Sequence, residues 1–296
     1  MIKRIIYISS PCYISSENEQ LVIDFKEKKE KKIIPIEDMG IVEFDSPQIL
    51  ITSFALNKLM TANVPVMICD DKHQPAGLAV PLIGNHIQAK RIKAQAEAKQ
   101  TLNNNLWGQI ISYKIKNQGK LLRKIGKDFA TLERLASNVK SGDTGNNEAK
   151  ASQNYWKLLF GDIGFKRERF GIYPNNLLNY GYSILRAITA RAIVNAGLHP
   201  TLGIHHKNQY NGYCLADDLM EPYRPFVDAK VVEMFLDGRG KETDKNAKAE
   251  LLSISWVDSV IKKKTHPLFI AVQTSVNSVT ACFMKEKKKV EYPVFT

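Results

Sequence analysis

The period of the hydrophobic pattern changes once along this chain, near residue 80, and that change restricts the fold more than any composition figure. Before it, the short β-branched runs "RIIYIS", "CYISSEN", "QLVIDFK" and "KKIIPIEDM" are separated by polar or turn-forming residues. Several alternate with period two, the spacing of a half-buried strand. "DSPQILITSFALNKLMTAN" then carries apolar residues at helical spacing after Ser46-Pro47, and "VPVMICDDKHQPAG" reads as a short buried strand ending in a polar turn. These runs predict a small sheet domain with one inserted helix.

Pro81 and Gly84 punctuate "VPLIGNHIQ", and beyond it the character is helical. "NHIQAKRIKAQAEAKQTLNNNLWGQIISYKIKNQGKLLRKIG" is rich in Ala, Lys, Gln and Leu, good helix formers, with basic residues recurring on one side. "SNVKSGDTGNNEAKASQNYWKLLF" passes from loop to helix, with Asn146 or Asn147 as the expected N-cap and Glu148 in the first turn. In "NNLLNYGYSILRAITARAIVNAGLHP", Leu177, Gly181, Ile184, Ile188, Ala192 and Asn195 follow three-four spacing. Gly197 suits the position after the helix, and Pro200 lies just beyond. "DGRGKETDKNAK", 237–248, reads as a flexible polar loop and "KEKKKVEY" as a solvated basic tail. The expected fold class is α+β: a small N-terminal β-rich domain over 1–82, then a larger all-α C-terminal domain over 89–296.

Charge narrows the function. Lys+Arg number 42 against Asp+Glu 30, a formal +12, which favours a polyanionic partner such as DNA, RNA or an anionic surface. No apolar run approaches the ~18 residues of a spanning helix, and "MIKRIIYISS" is too short in its apolar stretch for a signal peptide. Cys12, Cys69, Cys214 and Cys282 are scattered, with no C-x-x-C pair, so reduced thiols in the cytoplasm are expected, with no membrane partner. Between Lys90 and Lys127 lysines and arginines recur, and Lys90, Arg91 and Lys93 are the candidate DNA contacts. A plain solvated helix face is the ordinary alternative.

The acids are the densest chemistry. In "LGIHHKNQYNGYCLADDLMEPYRP", Asp217, Asp218 and Glu221 fall close together, followed by Arg224. Such carboxylates repel unless a cation or proton separates them. On a helix, Asp218 and Glu221 share one face, and Asp217 would serve as the N-cap of a helix kept short by Pro222 and Pro225. The bland reading is helix-start acids favoured by the dipole. One imidazole from "HH" with carboxylates from separate segments, Glu148 among them, makes an N/O set that suits Mn2+ or Mg2+ better than structural zinc.

"NNEAKASQNYW" followed by "GLHPTLGIHHKNQYNGYCLADDLMEPYRP" resembles the CRISPR-associated spacer-acquisition integrases, the DNA endonucleases called Cas-one, and the likeness extends over essentially the whole chain, in a variant like those that accompany a single-protein effector (type II). The resemblance implies that 89–296 is the catalytic domain and 1–82 the dimerisation unit. It also implies a catalytic and metal-binding set of Glu148, His206 and Glu221, with Asp218 and Arg224 supporting and Mn2+ or Mg2+ as cofactor. His206 follows from a G-x-x-H pattern counted from Gly203, which leaves His205 a neighbour; Tyr223 stands where the family often has Phe. The implied activity is insertion of short DNA fragments into a CRISPR repeat by 3′-hydroxyl attack on a phosphodiester. The implied partners are double-stranded DNA (prespacer and repeat), a second copy in a homodimer, a small adaptation protein and the RNA-guided effector nuclease. A stand-alone repair nuclease and a non-enzymatic DNA-binding scaffold are the competing readings.

Overall fold

The computed structural model describes residues 4–25, 28–71, 73, 75–168, 171–241 and 243–296. The chain divides into two compact units, Met1–His86 and Ile87–Thr296. In the first, the order is β1 (Arg4–Ile8), β2 (Cys12–Glu17), β3 (Gln20–Phe25), β4 (Glu30–Pro35), β5 (Met39–Phe44), β6 (Ile49–Ile51), α1 (Ser53–Thr61), β7 (Val66–Cys69) and β8 (Pro75–Ala79). Two four-stranded sheets result, ordered β1-β5-β7-β8 and β4-β3-β2-β6. Alternation decides what each strand buries: Ile14, Leu21 and Ile23 turn into a core shared with Ile6, Val42 and Leu59. Tyr13, Ile33 and Leu50 keep to the exposed side of the second sheet.

The helix expected directly after Ser46-Pro47 starts later. Ile49–Ile51 first pairs in parallel with β2, Cys12 opposite Ile49 and Ile14 opposite Ile51. The helix begins at Ser53, where Thr52 Oγ1 accepts a hydrogen bond from the Ala55 amide at 3.1 Å. A sheet edge offers the "ILI" amides partners that an isolated helical turn does not.

The second unit carries α2 (Gln88–Ala96), α3 (Gln100–Lys124), α4 (Ala130–Ser137), α5 (Asn147–Phe160), α6 (Asn175–Asn195), α7 (Cys214–Met220), α8 (Arg224–Leu236), α9 (Lys245–Leu252), β9 (Asp258–Ile261), β10 (Lys264–Pro267) and α10 (Leu268–Phe283). The expected all-α domain is therefore corrected: β9 and β10 form an antiparallel hairpin, and Val294 bridges to Val260. The run of helical character that follows residue 84 forms two helices, with a break between Ala96 and Gln100. Helix α6 ends as its pattern requires, with Gly197 at φ 71° just past Ala196. Among its described residues the polar stretch 237–248 is loop up to Asp244, whose Oδ1 accepts from the Ala247 amide and caps α9, so that only its last residues are helical. The basic tail is only partly solvated: Lys287, Lys288 and Lys289 are exposed, whereas Val290, Tyr292 and Phe295 are buried. Asn117 of α3 holds that end, donating to the carbonyls of Pro222 (2.8 Å) and Pro293 (3.1 Å) and accepting from the Phe295 amide. No helix among the described residues is long and apolar enough to cross a membrane.

Helix α3 is the axis that positions the site. It packs against α4, α5, α7 and α8 and against the short 3-10 turns at Ser141–Asp143 and Glu221–Tyr223. Gly108 allows one of these approaches, since a Cβ there would lie 2.7 Å from the Lys140 carbonyl oxygen. Backbone cannot step aside as a side chain can. Gly108→Ala is thus expected to lower unfolding free energy by about 1–3 kcal/mol in urea titrations, despite the better helix propensity of Ala. A stability gain near the ~1 kcal/mol propensity difference would show that the contact imposes no constraint.

Candidate active site

Three segments deliver charge to one place. Lys114, from the buried stripe of α3, has only 9% of its side chain exposed, and its Nζ lies 2.6 Å from Glu148 Oε1 and 2.7 Å from Glu221 Oε2. Glu148 stands in the first turn of α5, but neither Asn146 nor Asn147 caps that helix. Asp143 does so from five residues upstream: Oδ1 accepts from the Asn147 amide (3.0 Å) and side chain (2.8 Å), and Oδ2 from the Glu148 amide (2.9 Å). Asn146 instead takes a left-handed turn, φ 51°, which swings the chain so that the cap reaches back. The cap therefore also sets where Glu148 begins.

Glu221 opens the 3-10 turn that follows α7, with Pro222 at a first-turn position where its missing N–H costs nothing. Arg224 Nε approaches Glu221 Oε1 at 2.9 Å, and its guanidinium lies 4.4 Å from the Tyr182 ring centroid. Burial pushes the Glu221 carboxyl upward, but Arg224 and Lys114 outweigh it and hold the group at about 2. Burial likewise works against the Lys114 ammonium, and Glu221 and Glu148 more than restore it, so its pKa is raised. Lys114, Arg224, Glu148 and Glu221 carry two charges of each sign, so the cluster is neutral.

His206 is fixed by a separate device. Asp218 is fully buried and accepts from the amides of Ile204 (2.6 Å), His205 (2.9 Å) and His206 (3.2 Å). Its Oδ1 also lies 2.5 Å from His206 Nδ1; a carboxylate oxygen accepts, so Nδ1 donates and Nε2 is left for a ligand or a proton. That hydrogen bond, opposed by burial, raises the His206 pKa above its ordinary value. Gly203 is what lets the loop fold so tightly, because a Cβ there would sit 2.2 Å from the His206 carbonyl oxygen. His205 differs in role: its ring stacks on Trp107 with centroids 4.1 Å apart and planes 2° from parallel.

The expected N-cap, Asp217, lies inside α7 and binds Arg186 Nε and Asn211 Nδ2, each at 2.7 Å. Behind the cluster, Asp228 of α8 accepts from Tyr155 (2.7 Å) of α5 and Tyr182 (2.5 Å) of α6, tying three helices together. Of the expected DNA contacts, Lys90 and Lys93 line a groove with Lys99, Lys285, Lys288 and Lys289. Arg91 instead donates to the Ala196 carbonyl at 3.0 Å, closing the end of α6.

The chemistry of the donor set fits a hard divalent cation: two carboxylates from separate segments already share a positive charge, and an imidazole tautomer is pinned beside them. Glu221 Oε2 is buried and has no hydrogen-bond partner, only its ion contact with Lys114. As the side chains stand, no three His, Cys, Asp or Glu among the described residues converge on one point. The Lys114 ammonium lies between the two acids instead. Neither Lys114 nor Asp143 was singled out by sequence reasoning. Lys114 had a signal: it falls on the apolar register of Trp107, Ile110, Ile111 and Leu121, an unusual place for a lysine.

Asp228 makes a pH prediction. Burial raises its pKa from 3.8 to about 6, against the pull of Tyr182 and Tyr155. The native state then holds the proton more tightly than the unfolded chain, so this contribution is complete below pH 3.8 and is lost as pH rises through 6. Between pH 4 and 7 the wild type should lose roughly 2–3 kcal/mol that Asp228→Asn does not lose. Parallel pH profiles of unfolding free energy for the two proteins would refute this account.

The family described as "CRISPR associated protein Cas1" matches residues 6–265. A CRISPR-associated endonuclease Cas1 from Neisseria meningitidis serogroup C (strain 8013) is 32% identical over 284 residues, 95% of this chain and 92% of the relative. Among solved structures, a casposase bound to integration product superposes with a TM-score of 0.76 at 20% identity, covering 98% of this chain and 92% of that one. A Cas6-RT-Cas1–Cas2 complex gives 0.74 at 19% identity over 97% of this chain and 35% of that one. At these identities the two structures establish the shared fold.

Proposed function

The chain belongs to the CRISPR-associated Cas1 family, and from that premise we propose that it is an endonuclease and integrase that joins short DNA fragments to a CRISPR repeat. The observation that carries the reading is the pair Glu148 and Glu221, from separate segments, within ion-pair distance of one cation and adjoined by a histidine pinned through a buried aspartate. The related N. meningitidis protein bears the name endonuclease, and the casposase neighbour was captured with an integration product.

Glu148, Glu221 and His206 would hold Mn2+ or Mg2+, which when bound stabilises the charge that develops on the scissile phosphodiester. The rest falls to the protein's own groups. A fragment's 3′-hydroxyl attacks phosphorus in the repeat strand, the new P–O bond forms, and the old one breaks to leave a 3′-hydroxyl on the repeat. Water in place of the hydroxyl gives hydrolysis, so nuclease and integrase activities share one centre. Asp218 keeps the His206 proton on Nδ1, leaving Nε2 to bind or to exchange a proton with the reacting oxygens. Arg224, braced by Glu221 and Tyr182, supplies a fixed positive charge that would favour the negative charge building on the phosphate.

The scaffold alternative requires these acids to be helix caps. Glu148 and Glu221 are instead ion-paired to Lys114, Asp217 to Arg186, and Asp218 holds a loop; the cap of α5 belongs to Asp143. The proposal includes duplex DNA as substrate and a small adaptation partner, in keeping with the Cas1–Cas2 complex among the structural relatives. It also includes a homodimer through the outer face of the β4-β3-β2-β6 sheet, where Tyr13, Ile33 and Leu50 are exposed. The four free cysteines suit a cytoplasmic, reducing setting.

Strand transfer of a short duplex into a supercoiled repeat plasmid, with Mn2+ or Mg2+ and with or without the partner, tests the function. Glu148→Gln, His206→Ala and Glu221→Gln should each lower the rate by about a hundredfold or more while circular dichroism stays native. His205→Ala should keep most activity, and an inactive His205→Ala beside an active His206→Ala would reverse the assignment.

Salt titration separates the two kinds of basic residue. Lys90→Ala with Lys93→Ala should flatten the log–log slope of duplex affinity against salt by about 0.9 for each phosphate that is no longer neutralised. Arg91→Ala should lower the melting temperature and leave that slope alone. A slope that responds to Arg91 and not to the lysines would contradict the division.

A further inference from the structure

We propose that Lys114 is a resident counter-ion of the Glu148–Glu221 pair, held between the two carboxylates until a divalent cation displaces it. The inference rests on the reading of those acids as metal ligands. Two carboxylates brought this close repel one another without a positive charge between them. The ammonium meets one oxygen of each, at 2.6 and 2.7 Å. Those are contacts a shared metal ion would also need, so lysine and metal compete for the same oxygens. This accounts for two acids already drawn together in a structure where, among the described residues, no three potential ligands converge.

Displacement needs somewhere for the lysine to go, and the structure provides it. A cavity of about 270 Å³ adjoins Glu221, lined by Lys114 together with Gln118, Ser152, Trp156 and Asp228. The lysine stem is unbranched and flexible, so its ammonium can turn toward that cavity while α3 stays in place. Arg224 cannot substitute for it, being stacked over Tyr182 and paired with the other oxygen of Glu221. The consequence is a trade: the metal-free protein keeps its acids assembled, and metal affinity is lowered by the need to evict the lysine.

Mn2+ binding to the full-length protein, read from the electron paramagnetic resonance signal of free Mn2+, tests the competition. The doubly neutral variant Glu148→Gln with Glu221→Gln sets the background. Lys114→Met and Lys114→Gln should bind Mn2+ about tenfold more tightly than wild type, the scale of one charge-assisted hydrogen bond no longer broken. Both should melt lower without metal and gain more on adding Mn2+. Lys114→Arg should stay near wild type. Lys150→Ala is the control for general field effects, since Lys150 lies on the same turn of α5 and donates to the Gly145 carbonyl rather than to either acid. Equal or weaker Mn2+ binding in the neutral Lys114 variants, or the same tightening in Lys150→Ala, overturns the proposal.

Should the neutral variants fail to fold, acylation of wild-type lysines followed by peptide mass analysis gives the answer directly. Lys114 should be modified faster with saturating Mn2+ than without, and equal protection in both states overturns the inference. Site-specific Mn2+ binding with no Lys114 effect leaves the metal reading standing and removes only this inference. No Mn2+ binding above background in any protein removes both.

Discussion

A buried ammonium held by two carboxylates is the interaction on which the second unit is organised. Burying charge is expensive, and each ion alone would cost several kcal/mol in lost hydration. Lys114 is tolerable inside because Glu148 and Glu221 meet it and Arg224 completes the balance. That requirement reaches outward. The 3-10 turn at Glu221–Tyr223 must lie against α3, which Asn117 secures through the Pro222 carbonyl. The start of α5 must also lie against α3, which Asp143 and the close approach at Gly108 secure. Removing any one partner would leave an uncompensated buried charge, the costly outcome for such clusters.

The loop that carries His206 solves a different problem with one buried carboxylate. Between Leu202 and Asn208 there is no regular backbone pairing, so its amides need acceptors from elsewhere. Asp218 serves three of them and the imidazole at once, and Gly203 gives the room for it. The same side chain thus supplies loop order and histidine tautomer. Asp228 plays the parallel part among helices, joining α5 and α6 to α8 through two tyrosine hydroxyls. Polar networks of this kind specify one arrangement of helices where apolar packing alone would accept several.

Much of the fold was legible because hydrophobic period is a local property. The strands of the first unit and the end of α6 at Gly197 follow from residues within one turn or one pleat of each other. The larger failures were non-local, while the caps at Asp143 and Asp244 were short-range signals left unread. "ILI" became a strand because β2 lay alongside, Val290 and Tyr292 became core because α3 and α10 received them, and the 258–267 hairpin broke an otherwise helical unit. Lys90 and Arg91, neighbours of like charge, parted company because only one of them met a carbonyl from the end of α6.

By itself the sequence determined the chemical types available: which acids and which histidine exist, the order of the elements, and the glycines at which the backbone has room to turn. Those are written in short-range spacing, and motif likeness reaches them because spacing is what motifs record. Only the tertiary structure decided which acids act together and what lies between them. Glu148 and Glu221 are separated by 73 positions, and Lys114 precedes both on another helix. Charge neutrality in a buried space is a property of the assembled interior, where desolvation makes each ion's cost depend on its partners. No window of sequence contains that sum.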